Sequence, residues 1–237
     1  MREWFTGAGR RRRAARRLPE GPLRHYLETP PPGPSTPLGE LPLLAVDVET
    51  TGLEPRRDRV LSVGSVPVDG DRIVLGGAES MLLRGAHAED DDGVGQSATL
   101  HGITDDTVAT GVGGDVFLDR ILGALAGRVL VAHYSRIETD FLASLCFLHH
   151  GVRPTFVAVD TLELHRRVLG AGIDRGFAPE SSPDRLRLWS ARERYGLPRY
   201  RAHDALVDAL ACAELYLAQT AELHDRGVRT LRDLRTT

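Results

Sequence analysis

Leu43-Leu44-Ala45-Val46-Asp47-Val48-Glu49-Thr50-Thr51-Gly52-Leu53 is an apolar run that carries two carboxylates two residues apart and closes in a turn. In a strand, residues i and i+2 face the same side. Asp47 and Glu49 therefore project together from a segment otherwise built of Leu43, Leu44, Val46 and Val48. Two like charges beside a buried sheet are costly unless something positive lies between them, and for hard oxygen ligands that is a divalent cation such as Mg²⁺ or Mn²⁺. The competing reading is a strand end where one acid caps a neighbouring helix and the other is solvated.

Outward from this run the order of elements is legible. Residues 43–48, 59–68 and 72–83 read as strands, with Asp69-Gly70 as a two-residue hairpin turn between the last two. Gly85 to Gln96, with Glu89-Asp90-Asp91-Asp92 amid glycines, reads as an exposed loop. Helical periodicity covers 116–125, 136–149, about 184–195 and 203–222, and the apolar runs 129–132 and 155–159 read as buried strands. Three antiparallel strands followed by alternating helix and parallel strand predict an α/β fold, a mixed sheet flanked by helices.

Composition bounds the rest. A chain of 237 residues with 41% hydrophobic content can bury a full core. It has no apolar run long enough to span a membrane, and its first residues, Met1-Arg2-Glu3-Trp4, lack the apolar stretch of a secretory leader, so a cytoplasmic protein is expected. Cys146 and Cys212 both fall in helical apolar patterns and read as buried thiols. All 30 basic residues are Arg. Residues 1–40 hold eight Arg and four Glu, a net of +4 that leaves −7 for the rest of a chain of −3. The cluster Arg10 to Arg13, Arg16 and Arg17 could follow nucleic-acid phosphates or an acidic partner, or be a solvated, partly helical tail. Pro30-Pro31-Pro32-Gly33-Pro34-Ser35 reads as an extended linker. The expected organisation is a basic arm and linker over 1–40, a domain over 41–222 and a tail over 223–237.

Further acids can reach Asp47 and Glu49. On the last helix, a step of about 100° per residue puts Asp208 on the face of Ala205, Ala211, Cys212 and Leu215. His203 stands at or just before that helix. On the helix after His133, the face of Ile137, Phe141, Leu142, Leu145 and Leu148 has its centre about 45° from Glu138 and about 115° from Asp140. Glu138 should point toward the sheet and Asp140 toward water.

These residues carry a family resemblance. D-V-E-T-T-G at 47–52, L-H-G-I-T at 100–104, V-L-V-A-H at 129–133, V-D-T-L at 159–162 and R-A-H-D-A-L-V-D-A at 201–209 resemble the DEDDh 3′-to-5′ exonucleases. That family includes the proofreading epsilon subunit of bacterial DNA polymerase III and has a ribonuclease-H-like fold. The resemblance, over about residues 41–220, implies metal binding by Asp47, Glu49 and Asp208, with His203 as general base. Thr51, Gly52 and Leu53 match positions that contact the terminal nucleotide, and His101 sits in the motif beside it. Where the family reads A-H-N-x-x-F-D, this chain reads A-H-Y-S-R-I-E, so Tyr134 replaces Asn and Glu138 becomes the third metal acid. Asp160 matches a motif aspartate outside the four metal acids, with a bond to backbone or to a neighbouring side chain at a strand end as its expected role.

Two divalent ions, Mg²⁺ or Mn²⁺, about 3.5–4 Å apart would activate a water and support the departing 3′ oxygen. The implied activity is hydrolysis from the 3′ end of single-stranded DNA, in proofreading or repair, with RNA as an alternative substrate and a DNA polymerase or other replication protein as a possible partner. A non-catalytic module that binds nucleic acid or a polymerase is the alternative of another class. Asp47, Glu49, His203 and Asp208 occurring together favour the enzyme.

Overall fold

The strand that holds the two acids, β1 (Pro42–Thr50), lies at the centre of the sheet, flanked by β2 (Val60–Asp69) on one side and β5 (Val129–Ala132) on the other. The structure, a computed structural model, describes residues 2–84, 102–173 and 183–234. The loop expected over Gly85 to Gln96, and His101, lie outside the described residues. β3 (Arg72–Ile73) and β4 (Glu79–Leu82) both pair antiparallel with β2, and β6 (Ala158–Asp160) pairs parallel with β5. The order is β3-β2-β1-β5-β6, antiparallel at the β1–β2 pair and parallel from β1 through β5 to β6. This is the mixed sheet expected of an RNase-H-like fold.

Nine α-helices are found among the described residues: α1 (Arg2–Ala15), α2 (Pro22–Glu28), α3 (Asp105–Ala109), α4 (Gly114–Leu125), α5 (Arg136–His150), α6 (Thr161–Ile173), α7 (Leu188–Glu193), α8 (Ala205–His224) and α9 (Leu231–Leu234). Alternate residues of β1 feed two cores. Leu44, Val46 and Val48 pack with residues of α2, α4 and α5, whereas Leu43 and Ala45 pack with residues of α6, α8 and α9. Both faces are covered, which is why the strand reads as a continuous apolar run. By the same alternation Asp47 and Glu49 continue the α8 face.

Several expected elements change. The strand expected over 72–83 is interrupted by a 3-10 turn at Leu75–Gly77. Asp69 pairs with Arg72, so the hairpin turn residues are Gly70 and Asp71, one step later than expected, with Gly70 at φ 63°. The strand expected at 155–159 is confined to Ala158–Asp160. The helix expected at about 184–195 is a 3-10 turn, Pro183–Leu186, followed by α7. α6 was not anticipated. Its signal is the spacing of Leu164, His165 and Val168, all buried, and its first turn is tied down by Asp160, which accepts from Leu162 N at 2.9 Å. Leu148 is 76% exposed, because the far end of α5 runs past the core its wheel assigns it to.

The N-terminal segment is not the separate, solvated arm that composition suggests. Leu23, Tyr26 and Leu27 of α2 are buried in the same core as Phe117 and Phe141, and Ala15 and Leu18 join them. The Arg11 guanidinium stacks over the Tyr26 ring and donates to Tyr26 O and Thr29 O, the carbonyls that α2 leaves unsatisfied at its C-terminal end. The tail is also docked: Leu231 and Leu234 are buried beside Leu41 and Leu43, and Leu38 N donates to Arg229 O at 2.9 Å. Apolar residues at helical spacing inside a charge-rich segment override its composition. Among the described residues no helix is long and apolar enough to cross a membrane.

Candidate active site

At the end of β1 the pairing with β2 slips by one residue between Glu49 and Thr50. Such a bulge raises the local twist and re-aims side chains. Asp47 sits opposite Gly64 of β2, and a Cβ at residue 64 would lie less than 3.0 Å from Ala205 O, Ala205 C and Leu206 N. Only a residue without a side chain lets the start of α8 descend onto the sheet at this point. The descent continues along α8 through Ala205, Ala209 and Ala213, all buried. Asp208, one turn into the helix, is thereby brought to Glu49, and both are buried.

The helix start is built to present His203. Asp204 is the N-cap, accepting from Leu206 N at 3.1 Å and Val207 N at 3.2 Å. Asp208 Oδ2 accepts from the backbone N–H of His203 at 2.9 Å, and this bond holds His203 at φ 67°, a left-handed conformation uncommon outside glycine. His203 is exposed. Ligand atoms of Glu49, His203 and Asp208 all lie within 4.8 Å of one another.

Glu138 enters from α5. It is 4% exposed, whereas Asp140 is exposed and paired with Arg136 at 3.3 Å, the arrangement expected from the helical wheel. The loop that launches α5 is held by Asp160, which accepts from Tyr134 N and Ser135 N, both at 3.0 Å. Asp160 therefore bonds backbone, as expected. Tyr134, at φ 73° and 45% exposed, occupies the left-handed position at which asparagine is among the better-tolerated residues, so the family's Asn has a conformational reason.

The four acids perturb one another. Burial, then the charges of Glu138, Asp208 and Glu49, hold the Asp47 carboxyl well above its ordinary range; part of its surface still meets solvent, but protein surrounds it closely. Burial, then Asp208 and Asp204, push Glu49 up to about 7. Burial pushes Glu138 up to about 8, and Asp160 adds to it. Burial also raises Asp208, partly offset by the His203 N–H bond. Glu138 Oε2 and Asp208 Oδ1 are buried with no hydrogen-bond partner among the described residues. Buried carboxylate oxygens left in this state are costly. All-carboxylate oxygen donors with one imidazole suit a hard divalent ion such as Mg²⁺ or Mn²⁺.

The Thr50-to-Arg59 turn lies beside this cluster. Thr50 Oγ1 donates to Gly52 O at 2.6 Å, and Thr51 N donates to Arg59 O at 2.9 Å. Asp58 accepts from Glu54 N at 2.8 Å and from Thr51 Oγ1 at 3.3 Å, close enough under Gly52 that a Cβ there would collide with its carboxylate. Leu53 is left 74% exposed at the tip.

With this geometry, comparison with known proteins is decisive. The Exonuclease family profile, RNase_T, matches residues 44–216. The chain belongs to this exonuclease family. A DNA polymerase III subunit epsilon-like protein of Rhodobacter capsulatus is 30% identical over 196 residues, 82% of this chain and 26% of that protein. The DNA polymerase III subunit epsilon of Treponema pallidum is 27% identical over 177 residues, 75% of each. A PolC-type DNA polymerase III of Thermotoga maritima is 26% identical over 83% of this chain, which spans only 13% of that protein's length. Among solved structures, E. coli exonuclease I in complex with a dT13 oligonucleotide superposes with a TM-score of 0.64 at 20% identity, over 79% of this chain and 43% of that one. The cell-death related nuclease CRN-4 does so with a TM-score of 0.63 at 18% identity, over 80% of this chain and 65% of that one. These likenesses show the exonuclease fold.

Sequence reasoning missed three residues that shape this candidate site. Gly64 and Asp58 are two, the first legible only once α8 is laid on β2. Arg192 is the third. It is 1% exposed, with Trp189 and Tyr200 around its guanidinium, and it donates to Glu214 Oε2 at 2.7 Å and Pro198 O at 2.8 Å, pinning the segment that leads to His203. Its local sequence resembles an ordinary solvated helix face.

Proposed function

We propose that the chain is a metal-dependent 3′-to-5′ exonuclease that hydrolyses phosphodiester bonds at the 3′ end of single-stranded DNA. The observation that carries this reading is the convergence of Glu49, His203 and Asp208 within 4.8 Å, beside Asp47 and the buried Glu138. Asp47, Glu49, Glu138 and Asp208 would hold two Mg²⁺ or Mn²⁺ ions, which when bound acidify a water and neutralise the scissile phosphate. His203 accepts the proton of the attacking water at an imidazole nitrogen, from an exposed position that substrate can reach. The bond from the His203 backbone N–H to Asp208 fixes the backbone from which the imidazole projects at the start of α8.

Polarity comes from the turn at Thr51, Gly52 and Leu53. The exposed Leu53 side chain can cover the terminal base, and the turn, braced by Asp58, would then block a chain continuing beyond it. His101 is proposed, on its motif alone, to act beside that turn. The dT13 complex of a structural neighbour supports single-stranded DNA, and the epsilon names of the relatives support a polymerase or other replication protein as partner.

The test is incubation of 5′-labelled DNA and RNA oligonucleotides with Mg²⁺, Mn²⁺ or EDTA. A ladder shortening from the 3′ end of DNA with either metal, absent in EDTA, is expected. Metal-independent turnover, or cleavage only at internal bonds, would refute the proposal.

A further inference from the structure

Docking of the N-terminal segment creates a groove that the body alone lacks. A cavity of about 900 Å³ lies between α1, the Pro30-Pro31 segment and the first turn of α5, and five arginines line it: Arg10, Arg11, Arg12, Arg136 and Arg153. Two carboxylates line it as well, and both are engaged: Glu28 by Arg24 at 2.9 Å, Asp160 by the backbone N–H groups of Tyr134, Ser135 and Leu162. Of the arginines, Arg11 is committed to α2, Arg136 to Asp140 and Arg153 to Ser144. Arg10 and Arg12 are exposed and make no ion pair among the described residues.

We propose that this groove takes the sugar-phosphate backbone of the single strand whose 3′ end sits at the carboxylate cluster. The proposal rests on the exonuclease reading above and extends it to the nucleotides upstream of the cleaved bond. Contiguity argues for it. Ser135, Arg136 and Thr139 line the groove from the same turn of α5 that sends Glu138 the other way into the cluster. Charge argues likewise: the cluster itself repels a phosphate until cations are bound, so the strand needs a separate cationic hold. The docking of α1 through Arg11, Ala15 and Leu18 fixes where Arg10 and Arg12 stand, which a solvated tail would not do.

The test is a double variant, R10S/R12S, in the full chain, with R72S, an exposed arginine outside the groove, as control. Binding of 5′-fluorescent dT12 in Ca²⁺ is read by anisotropy over a salt series, and hydrolysis of dT12 and dT3 is followed in Mg²⁺ or Mn²⁺. The double variant should weaken dT12 binding about tenfold and flatten the dependence of log Kd on log salt by about 1.4, some 0.7 for each phosphate that an arginine no longer neutralises. Hydrolysis of dT3 should stay within twofold, and R72S should change nothing. An unchanged dT12 affinity and salt slope, an equal loss in R72S, or tighter binding of a twelve-residue oligoglutamate than of dT12 would overturn the proposal. The last outcome would assign the groove to an acidic protein segment. Failure of the exonuclease reading looks different: no hydrolysis of either length by the parent, with the binding loss in R10S/R12S intact.

Discussion

Gly64→Ala adds one methyl group and removes no ionisable atom, yet it should disable the site. The new Cβ would lie less than 3.0 Å from three backbone atoms of Ala205 and Leu206, where ordinary carbon contacts begin at about 3.5 Å. Backbone cannot swing aside as a side chain can, so the start of α8 must retreat by about 1 Å. That retreat carries Asp208 and the His203 it anchors away from Glu49. Displacement on this scale costs about 10²-fold in rate, and overpacking of this kind about 1–3 kcal/mol in stability. For a chain of 237 residues that lowers Tm by roughly 3–10 °C. The assay is the initial rate on a 5′-labelled single strand at saturating Mn²⁺, with a thermal melt of the same sample. Gly76→Ala, where a Cβ meets nothing within 4 Å, is the control. A Gly64→Ala enzyme within threefold of the parent would refute the claim that close approach of α8 assembles the cluster.

Glu138→Gln should lower turnover by orders of magnitude while Asp140→Asn stays close to the parent, since the first is buried toward the cluster and the second is an exposed partner of Arg136; the reverse order of rates would show that α5 is set in the wrong register. His203→Asn keeps a residue that tolerates left-handed backbone but removes the base, so the rate near neutral pH should fall about 10²-fold or more with metal binding retained, and an unchanged pH–rate profile would remove His203 from that role. Metal-free protein should lose stability as pH rises from about 5 to 8. Folded values of about 7 for Glu49 and about 8 for Glu138 lie above the ordinary 4.5, so the folded state holds more protons than the unfolded one across that window. Melts in EDTA should show Tm falling over this range and saturating Mn²⁺ should abolish the fall; a flat profile in EDTA would contradict the raising of Glu49 and Glu138 by burial and by the acids around them.

Sequence alone was enough for the parts of this protein that depend on local period and spacing. The two-residue interval of Asp47 and Glu49 puts both on one face of any strand, and the wheel of α5 separates Glu138 from Asp140, because both follow from backbone geometry without knowledge of neighbours. The family motifs and the order of strands were legible for the same reason. What only the tertiary structure decided is how far apart these residues end up. That distance is governed by Gly64, whose missing side chain matters only where α8 crosses β2, and by Arg192 and Asp58, whose partners lie 22 residues away in Glu214 and in the turn around Gly52. The N-terminal segment shows the same limit from the other side. Its arginines and the proline run after them made residues 1–40 read as an arm and linker outside the domain. Burial of Leu23, Tyr26 and Leu27 against α4 and α5 makes it part of the core, because composition averages over a segment while packing acts on the one face that its apolar residues share.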